Sequence, residues 1–156
     1  MTTSQQLSKH IEQAYFGGNW AEVNVKDTIS KINIDVANHK IQGFNTILAL
    51  SFHIHYFIKG VAQVFKGESL DIRDKFSYQH PKITNQKEWE QLQQSMWQEA
   101  KEFVDLIVNF PNSKWNTFFT DEKYGSYYSN ILGLIEHTHY HLGQIVVLNK
   151  MIEASK

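Results

Sequence analysis

Four stretches of this chain carry apolar residues three and four apart, and no segment alternates apolar with polar for long enough to found a sheet. That period belongs to helices that each bury one stripe, so the chain has to fold by packing helix against helix. The first stretch runs from about Ser4 to Phe16, with Leu7, Ile11 and Ala14 on one side, and the pair Gly17-Gly18 stops it. A weaker helical piece, about Val25 to Ile32 or a little beyond, leads towards Gly43, and Trp20 before it is expected to fold back onto the bundle. The second long stretch, about Phe44 to Phe65, gathers Ile47, Leu50, Ile54, Phe57, Val61 and Phe65 into one sector ahead of Gly67. The third begins near Asn85, repeats through Trp89, Leu92, Met96, Phe103, Leu106 and Phe110, and ends where Pro111 biases its predecessor away from helix. The fourth starts at about Tyr124 or Gly125, with Lys123-Tyr124-Gly125 as its opening, and reaches Ile152. Leu70 to Thr84, with Asp71, Asp74, His80 and Pro81, reads as a long connection. The expected fold is all-α, a single four-helix bundle domain over residues 1–156 with long crossovers between the first and second and the second and third helices.

Charge and composition narrow the function classes. The 15 Lys plus Arg and 16 Asp plus Glu give a net charge of −1, and Arg73 is the one arginine. Recognition of a phosphate backbone needs clustered positive charge, so no nucleic acid is expected as a partner. The chain has no cysteine, which excludes disulfides, thiolate metal sites and a cysteine nucleophile. Met1 to His10 is polar and lacks a secretion signal's basic start and apolar run. The apolar segment from Ile47 to Ile58 is broken by Ser51, His53 and His55, so no membrane span is expected. The expected location is the cytoplasm.

Eight histidines are present, and their placement matters more than their number. On the wheel of the fourth stretch, His141 lies about 40° from His137, inside the sector that holds Leu134, Ile145, Leu148 and Ile152, whereas His139 faces away. Two imidazoles one turn apart on an apolar face are costly unless something binds their nitrogens. One metal ion can take a nitrogen from each; a hydrogen-bonded core pair is the alternative. A third ligand should come from another helix. In the second long stretch His53 sits on the edge of the apolar sector and His55 about 120° from its centre, which favours His53 and leaves His55 open. His10, His39 and His80 read as surface residues.

The run Ile135-Glu136-His137-Thr138-His139-Tyr140-His141-Leu142-Gly143-Gln144-Ile145, with Phe52-His53-Ile54 at the matching depth of the second helix, resembles the DinB-like metalloprotein superfamily. The resemblance covers nearly the whole chain; the amino-terminal third matches in arrangement only. It implies a four-helix bundle and a metal triad of His53, His137 and His141, the set the wheels select. The family is functionally mixed. Some of its members are thiol transferases that use mycothiol, bacillithiol or glutathione with a divalent metal. The resemblance thus implies a nickel or zinc ion, with manganese or iron as further options, a low-molecular-weight thiol as cosubstrate, and a homodimer.

Three imidazoles leave a coordination position open, which suits hydrolysis or nucleophilic transfer at a bound water or thiol. The expected function is a divalent-metal-dependent enzyme that activates a small thiol or water, with S-transfer or hydrolysis as its chemistry and a small molecule as its substrate. The other class is a noncatalytic, stress-associated bundle that binds a metal or small ligand. No carboxylate is placed by spacing as a general base, because Glu136 falls at a flank and Glu99 and Glu102 on the solvated side of the third helix. Gln144 is expected in helix packing or in orienting a ligand, and Tyr56, Trp97, Tyr127 and Tyr140 as contributors to an entrance. A di-iron bundle fits poorly, since Leu134 stands where its Glu-x-x-His pair needs a carboxylate. Ile135, Leu142 and Val146 form a second apolar stripe, suited either to completing the core or to a homodimer contact.

Overall fold

The computed structural model describes every residue, Met1–Lys156. Four long helices carry the fold: α1 (Thr3–Phe16), α4 (Ile47–Phe65), α5 (Gln86–Val108) and α6 (Tyr127–Ala154), with two five-residue helices, α2 (Val25–Ile29) and α3 (Ile34–Asn38), between the first two. No strand is present. Caps set the starts. Thr46, Asn85 and Ser126 each accept a hydrogen bond from the third backbone N–H of the helix that follows, satisfying donors that a helix start leaves orphaned. The second and fourth long helices therefore begin two to three residues later than their apolar periods suggest. Lys123-Tyr124-Gly125 is not the opening of α6: Glu122–Tyr124 forms a 3₁₀ turn, and Gly125, at φ +70°, breaks it from the helix. In the region of the weak piece Val25 to Ile32, Asn24 and Asn33 each cap a separate turn of helix, so α2 and α3 replace one continuous element.

Hydrogen bonds and ring contacts give the helix directions. Ser4 donates to the Phe110 carbonyl at 2.6 Å and Ser8 to the Val104 carbonyl at 3.1 Å, so α1 and α5 are antiparallel. Phe65, at the end of α4, packs its ring 5.6 Å from Phe103 in α5, 4.8 Å from Phe110 just past the end of α5, and 5.1 Å from Tyr127, at the start of α6. Hence α4 and α5 are parallel neighbours, and α6 returns antiparallel to α4. Parallel neighbours cannot be joined by a tight turn. The chain must travel the length of the bundle between them, and residues 66–85 do so as a strap laid along α4. Gly60 makes room for it: a Cβ there would lie 2.3 Å from Cγ1 of Ile72. Tyr56 then grips the strap through its hydroxyl, which accepts from the Arg73 N–H at 2.9 Å and donates to the Arg73 carbonyl at 3.2 Å.

One apolar core runs through all four long helices and includes Leu7, Ile11, Ile54, Trp89, Phe103 and Ile145. By length and composition α4 could cross a membrane despite Ser51, His53 and His55, but 72% of it is buried inside the bundle. Leu142 is buried and Ile135 packs on the core, so both help to complete it. Trp20 does not fold back. It is fully exposed, because Gly17 and Gly18 turn the chain outward at positive φ ahead of it.

Tyr15 is buried and its hydroxyl has no hydrogen-bond partner. Burial, with the Glu99 carboxylate adding to it, holds that hydroxyl's pKa well above the usual tyrosine value. Tyr15→Phe removes an unpaired buried donor and is expected to stabilise the protein by about 1 kcal/mol, read as a higher urea midpoint at unchanged slope. A lower midpoint would mean that the hydroxyl is satisfied after all.

Candidate metal centre

His53 lies two turns into α4, while His137 and His141 lie one turn apart on α6, which runs antiparallel beside it. The crossing brings the three rings together. The centroids of His53 and His137 are 4.8 Å apart, and His141 lies 4.5 Å from each. One ligand nitrogen from each falls within 4.8 Å of the other two, and the Nε2 atoms of His53 and His137 are 2.9 Å apart. His53 and His141 are buried and His137 is half-buried. Three clustered histidines of this kind can bind a metal ion.

The surroundings keep the rings neutral. Burial pushes the His53 and His137 pKa values down to about 4, the nearby imidazoles push the same way, and the Asp74 carboxylate opposes them. Burial also lowers His141, against its hydrogen bond to Gln144. That bond runs from His141 Nδ1 to Gln144 Oε1 at 2.7 Å. With the proton held on Nδ1, the Nε2 lone pair of His141 is left for a ligand, the arrangement usual for a metal-bound imidazole. The Nδ1 atoms of His53 and His137 are buried without partners. A proton shared across the 2.9 Å contact couples only two of the three rings, whereas a cation uses one lone pair from each, so the donor set fits a divalent metal better than a core pair.

The competing histidine goes elsewhere. His55 points to α5, where its Nε2 is 3.6 Å from Glu99, which in turn lies 3.7 Å from Lys59. Glu99 is therefore partly buried between helices and not on a solvated face. His10 and His39 are exposed, His80 bonds the Pro81 carbonyl from the strap, and His139 faces away with Nδ1 on the Ile135 carbonyl. Of the four aromatics expected at an entrance, Tyr140 alone reaches the triad, with its ring 4.8 Å from His141. Tyr56 holds the strap, Trp97 is in the core, and Tyr127 joins the Phe65 and Phe110 cluster at the opposite end.

The strap supplies two residues that periodicity does not single out. Tyr78 stacks on His53 with centroids 4.0 Å apart and planes 9° from parallel. Asp74 lines a cavity together with His137, and its charge reaches both His53 and His137. Phe57 closes the site with its edge contacts to His53 and His137 at 4.9 and 4.7 Å. Comparison with protein-family models, curated proteins and solved structures yields no match for this chain.

Two outcomes follow. Histidines that titrate near 6.5 when unfolded and near 4 when folded bind more protons in the unfolded chain, so stability falls as pH drops from about 6.5 to about 4. In chelator, the melting temperature should decline through that window. The double variant His53→Gln, His137→Gln should decline less steeply, and an equal slope would contradict neutral burial of the pair. Gly60→Val overfills the seat of Ile72 and should cost about 1–3 kcal/mol. It should also weaken zinc binding at least tenfold by lifting Tyr78 from His53; unchanged zinc affinity would show that the strap does not support the site.

Proposed function

We propose that the protein is a divalent-metal-dependent enzyme of DinB-like type, with His53, His137 and His141 as ligands and a small thiol or water as the activated nucleophile. The convergence of three neutral imidazoles from two helices, one of them fixed in tautomer by Gln144, carries this reading. A divalent cation bound there supplies Lewis acidity and lowers the pKa of water or a thiol towards neutrality. Nickel or zinc suits an imidazole set best, with manganese or iron next. Asp74 is the carboxylate beside the triad and accepts the nucleophile's proton at its Oδ atoms. Tyr78 holds the plane of His53 by stacking, and Gln144 holds that of His141. With no cysteine in the chain, a thiol reaction brings its sulfur as a cosubstrate. The 2.9 Å contact between His53 and His137 favours a second reading, a noncatalytic bundle in which the two rings share a proton.

The test is the metal content of untagged protein purified without immobilised metal, by elemental analysis and native mass spectrometry. The parent should retain about one divalent ion per chain and His137→Ala none, while staying folded. A parent that takes up no Zn²⁺, Ni²⁺, Mn²⁺ or Fe²⁺ on reconstitution overturns the metal reading and leaves the noncatalytic bundle.

A further inference from the structure

The triad borders two cavities of different character. On the His141 side is a space of about 310 Å³ bounded by Asn45, Tyr78, Tyr140 and Gln144. On the His137 side is a larger one, about 590 Å³ and open to the surface, bordered by α4, the strap, the connection before α6, and α6 itself. That volume lies within the range of small-molecule sites. Its walls are Phe57 and Val61 from α4, Leu70 and Ile72 from the strap, Phe119, and Leu134 one turn before His137.

The polar groups in the larger cavity are few and mostly engaged. Ser129 donates to the Ser126 carbonyl at 2.9 Å, and the Asn130 amide donates to the Tyr124 and Ser126 carbonyls at 2.7 and 2.8 Å. Asp74 is the one charged lining residue, and no lysine or arginine lines the space. Away from the triad, an anionic group in this space would meet a like charge with no lysine or arginine to offset it. Gly133 adds an independent sign. It sits within α6, where glycine costs about 1 kcal/mol relative to alanine, and a Cβ built on it meets no atom within 4 Å. Nothing in the helix packing requires glycine there, but a larger side chain at that position would grow at the cavity wall that Gly133 forms.

We propose that this cavity binds an uncharged, largely apolar organic molecule with an aromatic or branched alkyl body, the second substrate of the triad. The inference rests on the reading of the triad as a reactive metal site. It separates the two reactants: the apolar molecule lies against Phe57, Ile72 and Leu134 with its reacting end at His137, and the polar body of a thiol cosubstrate is disfavoured among those apolar walls. Burial of the apolar body supplies affinity, and Asp74, with no lysine or arginine on the walls to offset it, supplies discrimination against acids in the metal-free chain.

Phenylbutanol and phenylbutyrate, matched in shape and different in charge, test this by calorimetric titration of the full chain in chelator, so that no metal can capture the acid. Phenylbutanol should bind, and phenylbutyrate at least tenfold more weakly. Asp74→Asn should narrow that gap. Gly133→Leu should weaken phenylbutanol at least tenfold while keeping the melting temperature and the zinc stoichiometry of the parent. Amide shift changes on adding phenylbutanol to the parent should map to Phe57, Ile72 and Leu134, which gives a readout that needs no variant. Equal affinity for acid and alcohol, full binding by folded Gly133→Leu, or shifts confined to other regions would each overturn the proposal. Zinc stoichiometry on chelator-free, zinc-reconstituted aliquots of the same preparations separates this failure from failure of the metal reading: a chain that binds zinc and no phenylbutanol loses only the cavity assignment, and one that binds phenylbutanol and no zinc loses the triad.

Discussion

The parallel packing of α4 against α5 is the constraint on which the rest of the molecule depends. Because the two helices point the same way, the chain leaves α4 at the Phe65 end and must return to the other end before α5 can begin. Residues 66–85 make that return along α4, passing Gly60, then Tyr56, then His53. The connection is thus a structural consequence of topology and at the same time the cover of the histidine cluster. A simple up-down bundle would need only a short turn there, and neither Asp74 nor Tyr78 would have a route to the site.

Three imidazoles inside a bundle are a local conflict with an otherwise apolar core. The fold resolves it by keeping them neutral and by surrounding them with rings, Tyr78 on one face of His53 and Phe57 against its edge. Only His141 has a full polar partner, Gln144. Places where a core breaks the rule of satisfied polar groups are where function is most often found. His55 makes the contrast plain: equally buried and two residues away from His53, it is matched by Glu99 on α5 and has no part in the cluster.

Much of this arrangement is legible in the residues alone. The wheel that puts His137 and His141 among Leu134, Ile145 and Leu148 describes the inward face of α6 correctly, because helical geometry is local and survives packing. The preference for His53 over His55 follows from the same geometry on α4, but the wheel's placement of His55 away from the apolar sector does not anticipate that this ring is buried too, against α5. Asp74 and Tyr78 escape such reasoning, since a connection has no period and its path is decided by Gly60, Tyr56 and the helices it spans. Glu99 escapes for another reason. Its position on α5 is readable, but its contact with His55 depends on how α4 and α5 face each other. Trp20 shows the limit of composition, because a large aromatic is not obliged to be buried when two glycines direct the chain outward.

The strap of residues 66–85 buries only Ser77 and Ile83, while the helices around it bury whole faces. A segment with so little burial opens at a lower free energy than a packed core, so the strap is the part of the site's surroundings expected to open first. The histidine cluster thus has two supports of unequal strength: packed helices hold the rings, and a cover with far fewer buried contacts lies over them. Entry to a buried centre in this protein does not have to wait for the fold to open.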